Sequence, residues 1–132
     1  TTGVQFEPSD QAYRHLIEFA LSGEPEQLAA DLDSLTKTIL ACSPGPSMTT
    51  ATLLSVAPLS IGEVGDQRSA IVFDGKESAS ATGVWHGRSA MVRVGNRLVG
   101  IGLTEILDSG AKPALSDDDF RALVNKAVAK LG

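Results

Sequence analysis

The chain is poor in the residues that usually announce a chemistry. Cysteine occurs once in 132 residues, at Cys42, so no disulfide can close within it and the bridged framework of small secreted domains is missing. Histidine occurs twice, at His15 and His86, with no cysteine or carboxylate beside either at metal-ligand spacing. Neither a metal nor another cofactor is expected, and both histidines are read as structural or surface residues. No apolar run approaches the roughly 20 residues needed to span a bilayer. Positive charge is scarce as well: 11 Lys and Arg stand against 16 Asp and Glu, a formal net charge of -5, which argues against a nucleic-acid partner. Aromatics make up only 5%, as four Phe, one Trp and one Tyr.

The opening "TTGVQFEPSD" has neither the basic nor the apolar region of a signal peptide, and no initiator Met. The chain therefore reads as a mature or trimmed product, with room for a lipid anchor upstream of residue 1. Its length and ordinary apolar share suit one globular domain over residues 1–132.

What is present is patterning. Ser9 caps an expected helix through "DQAYRHLIEFAL", with Tyr13, Leu16, Ile17 and Ala20 on one face. Pro25 suits the first turn of a second helix lined by Leu28, Leu32, Leu35 and Ile39, which should end near Cys42 because "SPGP" at 43–46 cannot continue it. Four strands follow: "TTATLLSV", "RSAIVFD", "VWHGRSAMVRV" and "RLVGIGLTEI". The first two are joined by "PLSIGEVGD" and the middle two by a loop "GKESASAT", while Gly95-Asn96 makes a two-residue hairpin turn. A final helix, "SDDDFRALVNKAVAKL", opens on Ser116 with Asp119 at the capping-box position and carries Phe120, Leu123, Val124, Ala127, Val128 and Leu131 on one face. The expected fold is α+β: a four-stranded antiparallel meander with two N-terminal helices and one C-terminal helix covering one of its faces.

The hairpin around Gly95-Asn96 fixes a parity. Ala90, Val92 and Val94 share a face with Arg97, Val99 and Ile101, which should be core, leaving Trp85, Met91, Arg93 and Leu98 opposite, beside Gly100 and Gly102. An aromatic, a thioether and an arginine next to glycines suit a recognition surface, and these four are the candidate ligand- or partner-binding residues. They equally suit packing beneath the N-terminal helices.

Other stretches complete no motif. "GIG" at 100–102 and "GEVG" at 62–65 lack the remaining glycines or the lysine of a phosphate loop, and "DDD" at 117–119 lacks the spaced ligands of a calcium loop. Cys42 has no local signature of a nucleophile. No catalytic residue is assigned and no enzyme is expected; the alternatives are a hydrolase assembled only in three dimensions, or a carrier of an apolar or lipid ligand in an internal cavity.

"LDSLTKTILAC", then "LLSVAPLSIGEVGDQRSAIVF", "AMVRVGNRLVGIGL" and a terminal "LVNKAVAKL" resemble, in order and wording, the extracytoplasmic sensor-like domains of mycobacterial lipoproteins and of a mycobacterial membrane serine/threonine kinase. The likeness covers roughly residues 32–131. It implies an antiparallel sheet with helices, display in the cell envelope or secretion, and a groove for an unidentified small ligand or envelope protein. Those domains commonly carry paired cysteines, whereas Cys42 here is alone.

Overall fold

The structure, a computed structural model, describes residues 2–6, 13–41, 45–46, 51–77, 83–108, 113 and 115–131. The elements run β1 (Thr2–Phe6), β2 (Tyr13–Ser22), α1 (Pro25–Leu40), β3 (Gly45–Pro46), β4 (Ala51–Pro58), β5 (Gln67–Glu77), β6 (Gly83–Val94), β7 (Arg97–Asp108) and α2 (Asp117–Ala129). All strands join one antiparallel sheet in the order β1-β2-β7-β6-β5-β4-β3. Five of them are long, and the five-residue β1 and two-residue β3 lie at the edges.

The fold class is α+β with one antiparallel sheet, as expected, but it has five long strands and two helices rather than four strands and three helices. The difference lies in Tyr13–Ser22. That segment carries a helical pattern, yet it also alternates, with Leu16, Glu18 and Ala20 on one side and Ile17, Phe19 and Leu21 on the other. β7 would otherwise end the meander as a bare edge, a row of unpaired N–H and C=O groups. β2 pairs with it over ten positions, from Tyr13↔Ile106 to Ser22↔Arg97. Tertiary pairing therefore overrides a weak local preference, as it readily does in short apolar runs. The expected cap Ser9 lies outside the described residues.

The remaining elements fall near their expected places. α1 starts at Pro25, and β5 extends to Glu77, into the stretch read as a loop. Gly95 turns the β6–β7 hairpin with φ 59, and its N–H donates to Asp66 Oδ2 at 2.7 Å. Gly65, in the "GEVG" stretch, has φ 66 and sits so close that a Cβ there would come within 2.3 Å of Val92 Cγ1. That glycine is needed for chain packing.

The parity set by the hairpin holds: Val94 faces Arg97, Val92 faces Val99 and Ala90 faces Ile101. On this side α2 packs Phe120, Val124 and Ala127 against Ala90, Val92, Val99, Ile101 and Leu103. The helices do not share one face. α1 lies on the other, where Leu28 and Leu32 close over Leu98 with Leu21 and Met91 beside them.

Candidate functional site

The four residues singled out by parity do share the α1 face, but they divide into two groups. Leu98 is 8% exposed beneath Leu28 and Leu32, and Met91 packs at the border of the same cluster. Arg93 donates from Nε to Gln67 Oε1 at 3.2 Å and from Nη1 to the Gly95 carbonyl at 2.9 Å, while Gln67 Nε2 donates to the Ala29 carbonyl of α1 at 3.0 Å. These three sit where α1 docks. Trp85 is half-buried at the other end of β6, between Gly75 and Ile106 in register and roughly 26 Å along the strand from Arg93 at about 3.3 Å per residue.

Element length explains the division. The twelve-residue strands β6 and β7 each reach roughly 40 Å, whereas the sixteen residues of α1 rise only about 24 Å. α1 begins near the hairpin tip, where the Gly23 N–H donates to the Asn96 carbonyl at 3.0 Å, so the cover runs out toward Trp85. Ile17 is left 45% exposed, Ile106 40% and, on α1 itself, Leu35 43%. Between Ile17 and Ser89 in register lies Gly102, where an added Cβ would meet nothing within 4 Å. Gly100 and Gly87 differ, because the rings of Phe19 and Phe73 lie across them. The result is an open floor with apolar sides and a shallow centre.

On the opposite face the same end of the sheet is buried, and charged groups lie within it. Asp74, His86 and Glu105 are register neighbours across β5, β6 and β7. His86 Nδ1 lies 2.7 Å from Asp74 Oδ1, and Ser55 Oγ donates to Asp74 Oδ2 at 3.1 Å. His86 Nε2 is buried and has no hydrogen-bond partner among the described residues. Arg88, 5% exposed, donates to Asp117 Oδ1 at 2.7 Å and to the Leu115 carbonyl at 2.9 Å, and forms an ion pair at 3.7 Å with the fully buried Glu105. This network ties the start of α2 to the sheet. The serine hydroxyl meets the carboxylate and not the imidazole, which is not the order of a nucleophile and its base.

Among the described residues no group of three or more His, Cys, Asp or Glu is placed to hold a metal ion, and no helix is long and apolar enough to cross a membrane. The "DDD" acids serve the start of α2: Ser116 Oγ accepts from the Asp119 N–H at 3.1 Å, and the Ser116 N–H donates to Asp119 Oδ2 at 2.9 Å. That hydrogen bond from the Ser116 N–H is the main reason the Asp119 carboxyl is held below its ordinary value. His15 pairs with Thr104 in backbone register, and Cys42 lies outside the described residues.

Sequence reasoning missed Ile17, Ile106 and Leu35. The sequence pattern puts Ile17 on a helix face, Ile106 at the end of a strand and Leu35 in a helix core. Their exposure depends on how far α1 reaches across the sheet. No protein-family model and no curated protein matches the chain.

Proposed function

We propose that this is a non-catalytic, extracytoplasmic sensor-like domain of a cell-envelope or secreted protein, which binds a ligand or partner on the α1 face of its sheet. One observation carries the binding reading: at this end of the sheet the α1 face leaves Ile17 and Ile106 exposed, whereas Arg88, Glu105 and Leu107 on the opposite face are buried. Exposed apolar clusters of this kind mark interaction sites. Trp85 belongs to the binding floor with Ile17 and Ile106, while Met91, Arg93 and Leu98 hold the helix that walls it. The extracytoplasmic placement rests on the resemblance to sensor-like domains.

A neutral apolar dye, N-phenyl-1-naphthylamine, tests the floor because Trp85 is the single tryptophan and reports on it. The dye should bind the folded protein and quench Trp85, and Ile106→Glu should abolish this without lowering the melting temperature. A wild-type domain that takes up no dye would sink the reading.

The Asp74–His86 pair favours a hydrolase as second reading, since a carboxylate that orients an imidazole is part of many nucleophilic sites. Covalent labelling by a fluorophosphonate that disappears in His86→Ala would support it. The carrier reading has less support: the depression between Leu59–Gly62 and Arg68–Ala70 has a volume of about 270 Å³ and includes Ser60, Glu63, Arg68 and Ser69 in its wall.

A further inference from the structure

We propose that the open floor seats a small uncharged molecule with an apolar body and an oxygen that accepts a hydrogen bond. This rests on the reading that the floor is a binding surface and adds the seat and the chemistry of its ligand. The sheet register defines the seat. Ile17, Gly102, Ser89 and Ile71 follow one another across β2, β7, β6 and β5, a row about 14 Å long at roughly 4.8 Å per strand. The Phe19 ring lies across Gly100 one row nearer the hairpin, and the Phe73 ring lies across Gly87 one row nearer Trp85. Two isoleucines and two phenylalanines thus border a central pair, Gly102 and Ser89. Above Gly102 there is open space.

Two features of this seat define the ligand. The hydroxyls of Ser89 and of Thr104, one row further on, are half-buried, and among the described residues neither has a hydrogen-bond partner. Covering such a donor with a purely apolar molecule would leave it unsatisfied, whereas an acceptor oxygen restores the bond that water makes. The second feature is charge. The rows that begin at Ile17, His15 and Tyr13 on β2 and run to Ile71, Phe73 and Gly75 on β5 contain no Asp, Glu, Lys or Arg. The row that alternates with them, Arg14–Glu105–His86–Asp74, belongs to the α2 face. In a chain of net charge -5, the charge at this end of the sheet is thus confined to one face. An ionised group brought onto the floor would lose water and gain no counter-charge, so the part of the ligand that sits there is neutral.

The test titrates 1-decanol, decanoate and decyltrimethylammonium, alike in chain length and kept below their micelle thresholds, with binding read from Trp85 fluorescence and by calorimetry. Decanol should bind at least about tenfold tighter than either ion. Gly102 has no positive φ and has room for a side chain, so Gly102→Val should fold with an unchanged or higher melting temperature and yet abolish decanol binding. Ser89→Ala combined with Thr104→Val should weaken decanol about fivefold, the order expected for lost hydrogen bonds, and should weaken N-phenyl-1-naphthylamine, which has no oxygen, less than about twofold. An ion that binds as well as decanol, or a Gly102→Val variant that binds decanol undiminished, would overturn the proposal while leaving the floor as a binding surface. A dimer in sedimentation that Gly102→Val dissociates would also overturn it, by giving the floor to a second copy of the chain. If the dye binds and decanol does not, the ligand class falls alone; if neither binds, both readings fall.

Discussion

Buried charge is the feature of single residues that composition hides. Glu105 is fully buried and Arg88 nearly so, and the two lie on neighbouring strands of the α2 face. Taking a carboxylate out of water is costly unless cations and donors stay beside it. Arg88→Met removes the nearby guanidinium together with its bonds to Asp117 and the Leu115 carbonyl. It should therefore destabilise the domain by about 3 kcal/mol or more in a denaturant titration. The double variant Arg88→Met, Glu105→Leu should recover most of that loss; if it is no more stable than the single variant, the ion pair is not the source of the effect.

Among the elements, α2 shows how a start signal becomes a pH dependence. The reciprocal bonds between Ser116 and Asp119 satisfy two N–H groups at the helix start, and Ser116→Ala should cost about 1 kcal/mol. Asp119 binds its proton less readily in the folded chain than in the unfolded one, where its ordinary value is 3.8. It therefore stabilises the fold above that value, and the contribution is lost as the pH falls through the lower, folded value. Thermal melts should show a shallower acid limb below 3.8 for Asp119→Ala than for the parent protein. An identical limb would mean that this carboxylate does not couple to folding.

Considered as a whole, the molecule is one sheet with a helix on each side, and the helix-covered core and the proposed binding floor fall at different places on it. Phe120 is fully buried where α2 meets the sheet. Phe120→Asp puts an unpaired carboxylate into that contact and leaves a void, which together should cost more than about 4 kcal/mol. A melting temperature equal to the parent's would show that α2 does not hold the sheet. Ile106→Glu, at the uncovered end, should leave the melting temperature in place. The contrast between these two variants separates the part of the sheet that must be covered by its own chain from the part left open.

Much of this architecture is written locally. Gly95-Asn96 and the alternation on either side of it set the β6–β7 register, and with it the face to which Trp85, Met91, Arg93 and Leu98 belong. Pro25 and the Ser116–Asp119 box set the starts of α1 and α2. These features depend on backbone conformations and periodicities that a few neighbouring residues determine by themselves. Three matters were decided only by long-range packing. Tyr13–Ser22 became a strand because β7 offered an unpaired edge. The helices took opposite faces because β7 presents Leu98 to one side and Val99 to the other. The candidate quartet was divided because a helix gains about 1.5 Å per residue and a strand about 3.3 Å, so α1 covers Leu98 and stops short of Trp85.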